Sequence, residues 1–133
     1  VGFVVQNLME SVRSYEMLFG EFNVWEPTYI EAARYRGEFA DCTLQIATTQ
    51  NGSLEIELIQ VLEGHSPHIE VTERSAFGMH HVRYRVKEIE DYIKAAESCG
   101  YEVIWYKQWD EATKFGYLER GGDPLIIEFL EMP

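Results

Sequence analysis

VGFVVQNLMESVRSYEMLFG at residues 1–20 returns, altered in most letters but not in pattern, as VRYRVKEIEDYIKAAESCG at residues 82–100. Each copy opens on alternating apolar residues, Val1, Phe3 and Val5 or Val82, Tyr84 and Val86, the period of a half-buried strand. A polar break follows. Apolar residues then recur at helical spacing, Leu8, Val12, Tyr15 and Leu18 or Ile89, Ile93 and Ala96, and each helix is expected to stop at a glycine, Gly20 or Gly100. The two halves also end alike, in LEIELIQ at 54–60 and LIIEFLE at 125–131, each preceded by a turn signal, Asn51-Gly52-Ser53 or Gly121-Gly122-Asp123-Pro124. Strand-like stretches fill the space between, at 24–36 and 38–48 in the first half and at 102–108 and 114–120 in the second. Each half therefore reads strand, helix, strand, strand, strand.

Such a half is too small to bury its own sheet well, so the two halves are expected to pack together. The expected fold class is α+β: two tandem βαβββ modules whose curved mixed sheets form a cup. One domain spans residues 1–133, with module one at 1–60, a linker at 61–77 and module two at 78–133. The length agrees, since 133 residues fall near the roughly 150 typical of a single domain.

Composition excludes several classes of function. With 11 basic against 23 acidic residues the formal charge is −12, the opposite of the basic face that nucleic-acid-binding proteins carry or that basic membrane-surface segments use. No apolar run approaches the roughly 20 residues that cross a bilayer. The opening VGFVVQNLMESV has neither a basic start nor a small-residue cleavage site, so it does not read as a signal peptide. Cys42 and Cys99 lack metal or redox spacing and read as free thiols in a reducing compartment, which makes the cytoplasm the expected location.

Strand alternation assigns faces. Ile56 and Leu58 should face the first helix, leaving Glu55, Glu57 and Ile59 on the other side. Ile127 and Phe129 should face the second helix, with Ile126, Glu128 and Leu130 opposite. Val82, Tyr84 and Val86 should cover the same helix, so His81, Arg83 and Arg85 share the opposite face, that of the cup. Glu57 and Glu128 thus occupy equivalent positions. Two readings of this His and two Glu stand side by side. The carboxylates can pair with Arg83 and Arg85 or face water; alternatively, imidazole and carboxylate donors form a site for Zn²⁺, Ni²⁺, Co²⁺, Mn²⁺ or Fe²⁺.

The residues quoted, together with GMHHVRYRVKEIEDYIKAAESCGYEV at 78–103, resemble the vicinal-oxygen-chelate superfamily. That group includes glyoxalase I, methylmalonyl-CoA epimerase, extradiol dioxygenases and bleomycin-resistance proteins, and the likeness runs over almost the whole chain. The resemblance implies metal ligands on the first and last strand of each module. Carried over, these are Glu57, His81 and Glu128, with a fourth position just before Val1; the register of the repeat prefers His81 to His80, which would point to the helix side or the strand end. It also implies a glyoxalase-type lyase (lactoylglutathione lyase) or isomerase that moves a proton beside a carbonyl through a metal-chelated enediolate, with Glu128 or Glu57 as the proton shuttle. Glutamate at 57 matches glyoxalase I, whereas epimerases typically carry glutamine there; the linker and second module look more like the epimerases. An epimerase-like isomerase and a non-catalytic small-molecule-binding protein of the same fold are the alternatives. A homodimer is the expected assembly.

Arg83 and Arg85 beside such a site suit a small anionic or thioester substrate, because guanidinium binds carboxylate or phosphate bidentately. Arg34 and Arg36 are expected to join them. His65 and His68 sit in the linker and read as solvated, as do Asp110, Glu111 and Glu119. Tyr15, Met17 and Phe19 read as helix core. Trp105, Tyr106 and Trp109 read as packing residues or as an aromatic wall of the cup.

Overall fold

A computed structural model of the chain describes residues 1–73 and 77–133. The elements run β1 (Gly2–Val4), α1 (Leu8–Phe19), β2 (Asn23–Val24), β3 (Thr28–Tyr35), β4 (Glu38–Asn51), β5 (Leu54–Gly64), α2 (His68–Glu73), β6 (Gly78–Val86), α3 (Ile89–Glu97), β7 (Glu102–Gln108), β8 (Lys114–Glu119) and β9 (Ile126–Glu131). The class is α+β and the repeat is βαβββ. The chain forms two compact units. The first comprises Val1–Glu31 and Asp41–His80, the second Ala32–Ala40 and His81–Pro133.

In the first unit β5 pairs antiparallel with β4, β4 with β2, and β5 parallel with β1 through Gly2↔Glu57. The side chain of Asn7 caps α1 by accepting the Glu10 N–H at 3.1 Å. Gly20, at φ 90°, closes the helix by donating its N–H to the Glu16 carbonyl. Val5, Leu8, Val12, Phe22, Ala47, Ile56 and Leu58 form the core, with Phe3, Tyr15 and Phe19 packed on it. Leu18 and Met17, expected inside, are 70% and 88% exposed. The helical period gives the reason. At about 100° per residue Phe19 returns to the Leu8 side after three turns, Leu18 stops short of it, and Met17 lies opposite.

In the second unit β6 pairs parallel with β9, β9 antiparallel with β8, and β8 antiparallel with β7. Arg34 and Tyr35 of β3 pair with Tyr106 and Trp105 on the outer side of β7. Arg36 and Gly37, at φ 49° and 87°, turn the chain from β3 into β4, the two positive values that a tight two-residue hairpin loop requires. Val86, Ile89, Leu118 and Phe129 form the core, with Ile93, Ala96 and Ile127 against it. The assigned faces of β5 and β9 match both cores. Tyr84 departs from expectation and is 54% exposed. Aligning Leu8 with Ile89 sets Tyr15 and Phe19 against Ala96 and Gly100, so α3 lacks the bulk that covers Phe3 in the first unit.

Two stretches differ from the sequence reading in their bounds. The strand expected at 24–36 is interrupted at Trp25, Glu26 and Pro27, because proline donates no ladder hydrogen bond. Within 61–77, β5 continues to Gly64 and α2 forms at His68–Glu73; residues 74–76 of that linker lie outside the described residues. Among the described residues no helix is long and apolar enough to cross a membrane.

Candidate metal centre

The parallel β6–β9 ladder sets His81 opposite Ile126 and Arg83 opposite Glu128. His81 and Glu128 therefore lie diagonally, two residues apart in register, within side-chain reach. The His81 Nε2 stands 3.1 Å from the Glu128 Oε1, with the side chains only 1% and 4% exposed. The Arg83 Nε donates to the same oxygen at 3.0 Å. A carboxylate this deeply buried would be costly without such partners. Behind it Tyr117 of β8, opposite Glu128 in the ladder, places its ring 4.7 Å from the His81 ring. Trp105, itself buried, meets Tyr117 edge-on at 4.9 Å.

This donor pair fits a divalent cation. Imidazole nitrogen and carboxylate oxygen both suit Zn²⁺, Ni²⁺, Co²⁺, Mn²⁺ and Fe²⁺. Two ligands bound at about 2.0–2.2 Å to one ion stand roughly 3.0–3.5 Å apart. The His81–Glu128 separation of 3.1 Å already falls there.

In the first unit Glu57 of β5 is 7% exposed. It faces away from the core that holds Ile56 and Leu58, as Glu128 faces away from Phe129 and Ile127. The registers Gly2↔Glu57 and Arg83↔Glu128 make the two glutamates structural equivalents.

The expected group of arginines is divided. Arg83 bonds Glu128. Arg85 is exposed and donates to the Pro133 carbonyl. The Arg36 guanidinium pairs with Glu119, and that of Arg34 lies 5.0 Å over the Phe39 ring. Neither joins Arg83.

A second set of polar groups was not legible in the sequence. His68, expected to be solvated, is fully buried. Its Nδ1 lies 2.8 Å from the Ser66 hydroxyl, and its ring is 5.0 Å from that of His80. His65 is exposed as expected. Ser66 also hydrogen-bonds the Cys42 thiol. Burial pushes that thiol up to about 11, the charge of Asp41 adds to the rise, and the Ser66 bond opposes it. Both cysteines are free. α2 has only six residues, too few to show an apolar period, so nothing in the sequence marked His68 as inward. Tyr117 was missed for another reason: only the β8–β9 register puts it beside His81.

The chain belongs to the glyoxalase/bleomycin resistance protein/dioxygenase superfamily, whose family model matches residues 1–117. No curated protein sequence matches it. Among solved structures, a hypothetical protein from Bacillus halodurans is similar over 99% of this chain and 91% of its own, at 20% identity and TM-score 0.71. Methylmalonyl-CoA epimerase from Mycobacterium tuberculosis is similar over 100% and 85%, at 14% identity and TM-score 0.70. A variant of the Streptomyces coelicolor methylmalonyl-CoA epimerase in complex with 2-nitronate-propionyl-CoA is similar over 98% and 93%, at 13% identity and TM-score 0.65. At these identities the likeness is one of fold.

Proposed function

We propose that the protein is a divalent-metal-dependent lyase or isomerase that transfers a proton beside a substrate carbonyl, with Glu57, His81 and Glu128 as its metal ligands. The observation that carries this reading is the buried His81–Glu128 pair at 3.1 Å. A bound cation supplies Lewis acidity to substrate oxygens, worth several kcal/mol of charge stabilisation. The chain's own groups do the rest. Glu128 or Glu57 accepts the proton at a carboxylate oxygen and returns it, a contribution of roughly 10² to 10⁴-fold. Arg83 holds Glu128 in one orientation through its Nε, and its guanidinium is the group that would meet a substrate carboxylate or phosphate. Tyr117 and Trp105 keep water from one side of His81.

A glyoxalase-type lyase is the leading reaction, supported by glutamate at position 57. A methylmalonyl-CoA epimerase-like isomerase is the second, supported by the likeness in fold to solved epimerases. Elemental analysis after reconstitution with Zn²⁺, Ni²⁺, Co²⁺, Mn²⁺ and Fe²⁺, run beside Glu57→Ala, His81→Ala and Glu128→Ala, tests the site. Stoichiometric metal in the parent and its loss in all three variants is the expected result. Protein that stays metal-free with every ion would overturn the proposal. Solvent-deuterium uptake into methylglyoxal hemithioacetals or into branched acyl-CoA esters then separates the two reactions; uptake into neither would leave a non-catalytic binder.

A further inference from the structure

Four residues form one line across the strands of the second unit. Trp105 of β7 pairs with Tyr117 of β8, Tyr117 with Glu128 of β9, and Glu128 with Arg83 of β6. Cross-strand partners share a face, so all four lie on the side that carries the Glu128 carboxylate. Arg83 bonds that carboxylate from one flank. Tyr117, 3% exposed, stands on the other. Adjacent strands lie about 4.8 Å apart, and β9 separates β8 from β6. Yet the Tyr117 and His81 ring centroids are only 4.7 Å apart, with 42° between the ring planes. The two side chains lean toward each other over β9.

Tyr117 is held in that lean from behind. The buried Trp105 meets its ring edge-on at 4.9 Å. Phe115, two residues back on β8 and so on the same face, packs on Trp105 at 5.0 Å. A phenol ring turned away from His81 would meet that indole. The imidazole needs such a support. The torsion that turns a histidine ring is broad and roughly two-fold, so the backbone alone does not aim its nitrogens. In this structure the His81 Nε2 is directed at the Glu128 Oε1, 3.1 Å away. A nitrogen that ligates a cation cannot also donate to Glu128, so a second contact must orient the ring. The Tyr117 ring supplies one that does not depend on that hydrogen bond.

We propose that Tyr117 is a positioning residue whose ring, backed by Trp105, fixes the plane of the His81 imidazole and keeps Nε2 turned toward Glu128. Its bearing on metal binding rests on the function proposed above. The contact is made by the ring, so phenylalanine should serve in its place and an aliphatic side chain should not.

Two measurements on the full chain test the assignment. Nitrogen-15 NMR of the metal-free protein follows the His81 Nε2–H, with His81→Gln to identify its signal. The parent and Tyr117→Phe should show one signal protected from exchange with water, and Tyr117→Leu should lose it. Titration with Co²⁺, read by its visible absorption, should give the same spectrum and affinity in the parent and Tyr117→Phe. Tyr117→Leu should show an altered spectrum and bind about 10- to 100-fold more weakly, as loss of a group that orients a ligand does. Tyr92→Leu, which removes a ring lying against Phe129 on the helix side, should match the parent in both measurements. Thermal melts report that each variant is folded; if Tyr117→Leu is not, Tyr117→Met fills the space without a planar ring and takes its place. An Nε2–H signal that survives in Tyr117→Leu or is lost in Tyr117→Phe would overturn the proposal, as would Co²⁺ binding by Tyr117→Leu equal to that of the parent. A parent that takes up no Co²⁺ while the NMR contrast holds would overturn the metal reading of the site and support the ring contact.

Discussion

The β1–β5 ladder of the first unit and the β6–β9 ladder of the second share a register but not a chemistry. Gly2 sits opposite Glu57 where Arg83 sits opposite Glu128. Glu128 consequently has a guanidinium and an imidazole on one oxygen; no side chain comes from Gly2. A duplicated backbone preserves the position of a carboxylate, because the alternation of β5 and β9 is tied to an apolar core on the opposite face. What surrounds that carboxylate is free to diverge, because it depends on single residues of the neighbouring strand.

The glycines sharpen the contrast most. Gly64 of β5 has φ 85°, and a Cβ there would meet the Asp41 carbonyl oxygen at 2.1 Å and the Cys42 Cα at 2.7 Å. Gly52 and Gly122, in the equivalent turns of the two units, also have positive φ but open space around them. Urea denaturation should show Gly64→Ala losing about 3 kcal/mol or more, against about 1 kcal/mol for Gly52→Ala and for Gly122→Ala. Similar losses at all three would show that the β4–β5 contact yields.

Next in size is Arg83. Arg83→Gln removes a charged hydrogen bond from a buried carboxylate, so about 2 kcal/mol of stability should go, and metal affinity should fall about 10- to 100-fold, as for other groups that orient a ligand. Gly2→Ala, its counterpart, should leave metal affinity unchanged. Equal effects would mean that Arg83 does not orient Glu128.

The two thiols differ as well. Cys42 is buried and Cys99 exposed. The folded protein should let a thiol reagent label Cys99 and spare Cys42 at pH 8. Because the Cys42 pKa rises from 9.0 to about 11 on folding, its contribution to stability is full below pH 9 and is lost as pH climbs through about 11. Chemical denaturation between pH 8 and 11 should show a decline of at most about 3 kcal/mol, absent in Cys42→Ala. The smallest contrast lies at the helix starts. Asn7 caps α1 with its side chain, whereas Glu88 makes no side-chain cap on α3. Asn7→Ala should cost about 1 kcal/mol and Glu88→Ala only a few tenths; thermal melts that rank them the other way would count against this.

Much of this was legible in the sequence, for identifiable reasons. The repeat showed because both copies keep the same two periods. The inward faces of Ile56, Leu58, Ile127 and Phe129 followed from strict alternation, and with them the opposite placement of Glu57 and Glu128. That His81 shares a face with Glu128 came from the same parity. Leu18 and Met17 were misplaced because a helical face was extended one residue too loosely at its end. His68 escaped because a one-turn helix shows no period.

The amino-acid sequence by itself determined the α+β class, the duplicated βαβββ order and the side of the sheet on which each glutamate lies, since periodicity is local and survives in any register. Only the tertiary structure decided which groups meet. It put Arg83 rather than Arg34, Arg36 or Arg85 on Glu128, Tyr117 against His81, and His68 against His80. Those choices rest on ladder register and on the reach of side chains between strands distant in sequence, and no local period records either.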